Sequence, residues 1–309
     1  MKEIIAPVDK ALLIKELSQE RFVRYTNSGN NVIYVVTAHD SPNVMREIGR
    51  LREITFRRGG GGSGLEMDLD DEDLQENPYR QLIVWDPKAL EITGGYRFQH
   101  CGKADHDENG IPKIATAHLF DFSPRFVKEF LPYTIELGRS FVQPDYQPMV
   151  NSRKGLFSLD NLWDGLGALV IDYPDIKYFF GKVTMYPHFN REARDIILYF
   201  LFKYFPDTDN LVKPKVPLKI ETDMTKLESL FHGGNYGSDY KRLMQAFREL
   251  DSHIPPLINA YMNLTSTMRT FGTSINEPFG NVEETGILVT IGDIYETKKE
   301  RHLATYKKE

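Results

Sequence analysis

Residues 32–58 read VIYVVTAHDSPNVMREIGRLREITFRR, and their pattern decides the fold class. The run VIYVVTA (32–38) is apolar and β-branched, bounded by SGNN and HDSP, which predicts a buried strand. Ser41-Pro42 then predicts a helix start. Ser41 is the expected N-cap, and Pro42 takes the first helical position, where its missing N–H costs nothing. Val44, Ile48 and Leu51 fall at i, i+4 and i+7 and form one apolar stripe, so the helix should run to about Phe56 or Arg58.

Further strands are expected at QLIVWD (81–86), ITGGYRFQH (92–100), IATAHLF (114–120) and ELGRSFVQ (136–143). A helix is expected over 158–173, with Leu162, Leu166 and Leu169 on one face. KYFFGKVTMY (177–186) reads as a strand, and Asn190 as the N-cap of a helix over 191–205. Residues 206–250 lose this patterning and read as a polar insertion. A helix over 254–264, strands over 267–276 and 286–295, and a polar tail complete the chain. This order predicts an α/β (α+β) fold with a mixed β-sheet flanked by helices, in a single domain over 1–309 with 206–250 inserted in it.

The chain has 309 residues, 41% of them hydrophobic, enough for one large core. A net charge of -6 argues against a broad nucleic-acid surface. The 19 Phe and 16 Tyr suit a large aromatic core, or the lining of an apolar tunnel. The N-terminal MKEIIAPVDKALLIKEL has charges within its apolar stretch and does not read as a signal peptide. No run is long enough to cross a bilayer. The lone Cys101 excludes an internal disulfide and a cysteine metal cluster, so a cytoplasmic protein is expected.

Several segments carry chemistry. The glycines 59–62 follow a helix and precede an acidic run, the reverse of a phosphate-binding Walker loop, and so read as a flexible turn or a mobile lid. Asp68, Asp70, Asp71, Glu72 and Asp73 lack calcium-loop spacing. They form either a solvated face or carboxylates paired with arginines in a cleft. Arg97 lies inside an apolar strand, where a charge needs a partner. Glu136 and Arg139 would face opposite sides of one strand unless a bulge intervenes. SRKG (152–155), before the helix at 158, could bind an anion through backbone amides with Arg153 and Lys154. No serine elbow, zinc-protease helix or Cys–His arrangement appears, and His188 and His232 lie near turns, so no metal site is expected.

The segments REITFRRGGGGSGLEMDLDDED, QLIVWDP, GGYRF and ELGRSFVQPDYQP, in this order, resemble the bacterial amino-acid N-acyltransferases of the GNAT superfamily. That group, once labelled hemolysins, includes the ornithine- and glycine-lipid N-acyltransferases and is related to the acyl-homoserine-lactone synthases. The resemblance runs from about residue 5 to about residue 300, and LWDGLGAL, YFFGKVTM and PPLINAYMNL strengthen it. It implies a sheet splayed at its middle, with a thioester donor entering the splay. The lactone synthases' Arg-x-x-x-Phe matches Arg52 and Phe56, and their Asp-x-x-Asp matches Asp70 and Asp73. Their strand arginine matches Arg97, and their Glu-x-x-Arg matches Glu136 and Arg139. Their tryptophan after the helix is replaced here by glycine, which favours plain amide formation. The usual pyrophosphate loop is missing, PDYQPMVNSRKG standing in its place, which favours a carrier-protein donor over coenzyme A.

The resemblance thus implies transfer of a long, sometimes 3-hydroxylated, fatty acyl chain from acyl carrier protein or coenzyme A to a small amino acid, with no permanently bound cofactor. Glu136, Arg139 and Arg97 are the expected catalytic set, and Arg52, Phe56, Asp70 and Asp73 shape the acceptor site. Phe141, Val142 and Gln143 should line the pantetheine arm, with Arg153 and Lys154 on its phosphate. An acidic carrier would need a basic patch, for which Arg153, Lys154, Lys182, Arg191 and Arg194 are candidates. The lipid product would allow peripheral contact with a membrane. The alternatives are a coenzyme-A acetyltransferase with a small donor and a non-catalytic module that senses acyl carriers.

Overall fold

The expected strand at 32–38 forms as β2 (Val32–Val36) in a computed structural model that describes residues 1–147, 155 and 157–306. The helix after it, α2, spans Pro42–Arg58. Ser41 occupies the N-cap position, but its hydroxyl donates to Asp40 instead of capping. The free amides of the first turn are met by Glu16, whose carboxylate accepts from Asn43 N at 3.1 Å and Val44 N at 2.8 Å. A carboxylate there also suits the positive end of the helix dipole. Glu16 closes α1 (Lys10–Glu16), an element the sequence pattern does not announce.

The main sheet has eight strands in the order β1-β2-β3-β4-β6-β7-β10-β9. These are β1 (Phe22–Tyr25), β2, β3 (Arg80–Asp86), β4 (Glu91–His100), β6 (Thr134–Val142), β7 (Tyr178–Met185), β9 (Arg269–Asn276) and β10 (Val282–Thr290). Every pairing is antiparallel except that of β6 with β7. This is the mixed, helix-flanked sheet expected from the sequence. Strand alternation builds its two faces. Ile83 and Trp85 of β3 pack with Val44, Met45, Ile48 and Leu51 of α2. Leu82 and Val84 turn the other way, onto Leu162, Leu166 and Leu169 of α4 (Ser158–Asp172). Asn190 caps α5 (Arg191–Tyr204) as expected, its side chain accepting from Ala193 N.

One segment differs from expectation, and another carries helices that its composition does not announce. Residues 114–120 do not form one strand: Ala115–His118 is a 3₁₀ turn, and β5 (Phe120–Phe122) pairs with β8 (Val212–Pro214) in a separate ladder. Residues 206–250 carry α6 (Met224–Leu230) and α7 (Tyr236–Glu249). Their Leu227, Phe231, Leu243 and Phe247 are buried in the same core as Ile197 and Phe200 of α5. A narrow stripe buries the helices while the rest of each surface stays polar, which hides the pattern from a reading by composition. Among the described residues no helix is long and apolar enough to cross a membrane.

Candidate active site

The sheet comes apart at its centre. The parallel strands β6 and β7 pair from Thr134↔Tyr178 to Leu137↔Gly181 and no further. Beyond that vertex β6 continues beside β4, with Phe141 opposite Gly95, while β7 continues beside β10, with Met185 opposite Glu283. Gly181 lets the strands meet at the vertex, because a Cβ there would lie 2.5 Å from the Leu137 carbonyl oxygen. A bulge re-aims β6: Arg97 pairs with Gly138 but Gly95 with Phe141, so Arg139 and Ser140 together oppose Tyr96. Arg139 takes a left-handed backbone, φ +47°, uncommon for a side chain of its size.

The gap is narrow and is lined mainly by apolar groups, among them Tyr96, Leu137, Phe179, Val183 and Tyr261, with Ser140 at the bulge. Burial raises the pKa of the Tyr96 hydroxyl and pushes that of Tyr261 well up, so both stay protonated donors. Arg139 and Lys182 are the charged residues that line this cleft.

The expected arginines and aspartates come together in a closed ring. Arg52 pairs with Asp68 at 2.9 Å and Asp73 at 3.0 Å. Arg97 pairs with Asp70 at 2.6 Å and Asp73 at 3.3 Å. Arg139 pairs with Asp68 at 2.9 Å and Asp70 at 3.3 Å. Each guanidinium therefore meets two carboxylates and each carboxylate two guanidiniums. Of the two readings of the acidic run, these three carboxylates follow the paired one. Burial would raise the Asp68 carboxyl, but Arg139 and Arg52 outweigh it and hold its pKa below the usual range. Burial likewise opposes the charge on Arg97, yet Asp73 and Asp70 hold its pKa well above normal. Asp70 also caps the short helix α3 (Asp71–Leu74) in a capping box with Asp73. The ring thus ties α2, the acidic segment, β4 and the bulge of β6 into one unit. Phe56 and Arg139 both pack on Phe279, the rings 5.3 Å apart and the guanidinium 4.2 Å from the ring centre.

Glu136 lies on the same side of the sheet, because the bulge turns Arg139 to the face that Glu136 and Arg97 share. It is buried, and both its oxygens are engaged: the Tyr79 hydroxyl donates to one, and the Thr116 amide donates to the other at 2.7 Å. Tyr79 also lies under the Arg97 guanidinium, 4.8 Å from ring centre to carbon. Burial, then Glu136, push the Cys101 thiol well above its ordinary pKa, so it is no nucleophile.

The expected donor residues are placed differently from one another. Phe141 belongs to the core under α2, Val142 packs against the core on the other face, and Gln143 is bonded to the Ile92 carbonyl. Arg153 and Lys154 fall outside the described residues. The basic patch is corrected by the structure. Arg194 is fully buried among Asp195, Glu221 and Glu283, and Lys182 is paired inward with Glu284, so neither presents a surface charge to a docking carrier protein. Arg191 is partly exposed but engaged with Glu283 and Glu221. The glycine segment is packed rather than open. Ser63 and Gly64 amides bind the Glu53 carboxylate, and a Cβ at Gly59 would lie 2.5 Å from the Tyr186 ring.

Sequence reasoning missed Glu284 and Tyr79. Glu283 and Glu284 sit inside the strand VEETGILVT, and two adjacent carboxylates there signal buried partners. Tyr79 carries no such signal, since a buried tyrosine is common in any core.

Residues 51–152 match the acetyltransferase (GNAT) domain family. A glycine N(alpha)-acyltransferase of Phocaeicola vulgatus is 56% identical over 309 residues, all of this chain and 95% of that protein. The protein of the same name from Bacteroides thetaiotaomicron is 56% identical over 306 residues, 99% of this chain and 91% of that protein. The chain belongs to the bacterial GNAT N-acyltransferases. It is an enzyme, an acyltransferase, and the parted sheet is the GNAT fold. The solved AHL synthase LasI aligns over 90% of this chain and 98% of its own at 9% identity, with a TM-score of 0.42, too low to add weight. Among the described residues, this acyltransferase has no group of three His, Cys, Asp or Glu side chains that could hold a metal ion.

Proposed function

We propose that this acyltransferase moves a fatty acyl group from the thioester of an acyl carrier protein or of coenzyme A to the α-amine of glycine, releasing an N-acylglycine. The parting of β6 and β7 beyond Leu137 and Gly181 carries the reading. It leaves one edge of β6 without a strand partner among the described residues, where the amides of a pantetheine arm can pair as an added strand would. The apolar wall of Tyr96, Leu137, Phe179, Val183 and Tyr261 suits an acyl chain. The name carried by both bacterial relatives supports glycine as acceptor.

Reaction needs a neutral amine, a donor for the charge that develops on the thioester oxygen, and both reactants held in place. The bulge at Arg139 and Ser140 takes backbone amides out of the ladder and can aim them at that oxygen. Arg52, Phe56, Asp70, Asp73, Arg97 and Arg139 form the acceptor wall, with Arg97 and Arg139 holding its carboxylates in place. Glu136 takes the amine's proton through its hydrogen-bonded network, in which the Tyr79 hydroxyl donates to it and accepts from the Ala115 amide. The expelled thiolate takes up a proton as it leaves.

The test is mass spectrometry of products from the purified chain with glycine and either acetyl or long-chain thioesters, on coenzyme A and on carrier protein. Long-chain N-acylglycine is the expected product. N-acetylglycine alone would assign a small donor, and no product with any thioester would leave a carrier-sensing module. Glu136→Gln should lower kcat and displace the pH profile with little change in KM for glycine. Unchanged kcat would remove Glu136 from proton transfer.

A further inference from the structure

Lys182 and Glu284 form a second charged group at the splay, across β7 and β10. The strand register sets Thr184 opposite Glu284 and Gly286 opposite Lys182, so the two charges are diagonal neighbours on one face. Both are nearly buried, with side-chain exposures of 10% and 4%. Lys182 lines the cleft beside Arg139, and its other surroundings there are Phe180, Val183 and Ile287. Arg139 is committed twice to the aspartate ring. Among the described residues the Lys182 ammonium has Glu284 as its one hydrogen-bond partner, although it carries three N–H groups. Glu284 is also held by Thr184 and Asn276, each at 3.1 Å.

We propose that the Lys182–Glu284 pair is the clamp for the acceptor's head group, taking its carboxylate on Lys182 and its α-ammonium on Glu284. The inference rests on the amino-acid acceptor proposed above. A zwitterion is itself an ion pair, so inserting it between the two side chains gives every charge an opposite partner. The net charge of the site does not change, and no buried charge is left alone. Removing either partner alone would strand the other. A simple amine would free Lys182 from Glu284 and offer it nothing, so the clamp selects α-amino acids over amines. Burial would favour a neutral Glu284, but Lys182 and Arg139 keep its pKa low, so the carboxylate is charged and ready for an ammonium. After binding, the amine must still lose its proton before attack, and that step lies outside the clamp.

The experiment titrates glycine and glycinamide, which lacks the carboxylate, at fixed acyl donor with the full chain. The unaltered protein should prefer glycine. The paired variant Lys182→Met with Glu284→Gln removes both charges together. It should raise KM for glycine at least about tenfold, the loss of roughly one charged hydrogen bond, and abolish the preference over glycinamide while KM for the donor holds. Lys182→Arg keeps the charge but enlarges its head, should fold normally, and should raise KM for glycine alone. Should the paired variant fail to fold on thermal melting, Lys182→Arg decides. No acylated amino acid from the unaltered protein overturns the proposed reaction and the clamp with it. Acylated glycine whose KM and preference over glycinamide survive in the folded variants overturns the clamp alone.

Discussion

Arg52, Arg97 and Arg139 share Asp68, Asp70 and Asp73 so that every charge has two partners, whereas the Lys182 ammonium holds Glu284 alone. Both groups lie on the side of the sheet that the bulge serves. The ring joins four segments that are distant in sequence, and opening it at Arg52, Asp68, Asp73 or Arg97 strands charge in a dry place. The pair joins two neighbouring strands that backbone pairing already holds. It can exchange its partners without loosening the fold. Multiplicity of pairing therefore separates charges that build the site from charges that are free to meet a ligand.

The sharpest way to break this contrast is Arg52→Met. Asp68 and Asp73 would each keep one guanidinium, and the buried excess of negative charge should cost about 3–5 kcal/mol of folding stability. Replacing both Lys182 and Glu284 by Met and Gln leaves no lone charge and should cost roughly 1 kcal/mol. Urea denaturation of the two variants measures both. Equal losses would show that the ring is no more structural than the pair.

A smaller effect is expected at the vertex. Gly181→Ala sets a methyl against the Leu137 carbonyl, which is backbone and cannot swing aside, so β6 and β7 must shift. A loss of about 1–3 kcal/mol and of acyl-transfer rate should follow. Gly292→Ala is the control: a Cβ there meets nothing within 4 Å, and its effect should stay within about 0.5 kcal/mol. If the Gly181 variant matched the control in stability and rate, the close approach at the vertex would not be what shapes the cleft.

Much of this frame can be read from the chain, and the exceptions have physical causes. The strands of the sheet centre and the helices at 42–58, 158–172 and 191–204 announce themselves, because each buries one regular stripe. Arg97 is legible as a charge in an apolar strand that must be paired. Which acid pairs with it is not, since Asp68, Asp70 and Asp73 have the same local pattern as a solvated run. The left-handed Arg139 is invisible, because a bulge is a property of two strands in register and not of ELGRSFV alone. Glu16 as the cap of α2 is hidden for the same reason: it lies 27 residues from Asn43. Lys182 looks like surface charge in KYFFGKVTMY until β10 places Glu284 beside it.

The smallest expected effect lies at the outer edge of the ring, where Glu72 of α3 bonds His118 at 2.5 Å. The hydrogen bond to His118 lowers the Glu72 pKa to about 2, and the bond to Glu72 raises that of His118 above its ordinary 6.5. A raised histidine pKa means stability that is complete below 6.5 and lost as pH climbs through the raised value. A lowered carboxylate pKa means stability present above 4.5 and lost as pH falls towards about 2. The pair therefore contributes most between 4.5 and 6.5. Because the His118 side chain is 72% exposed, water screens the pair, and it should contribute no more than about 0.5 kcal/mol. His118→Gln should remove the part of the stability loss that the unaltered protein shows between about pH 6 and about pH 9, while the loss from Arg52→Met is the same at both. A His118→Gln variant that loses as much as the parent over that range would place the titration elsewhere. A pH-dependent Arg52→Met loss would show that the exposed pair and the buried ring are coupled through α3, and the separation of building charges from exchangeable ones would need a third class.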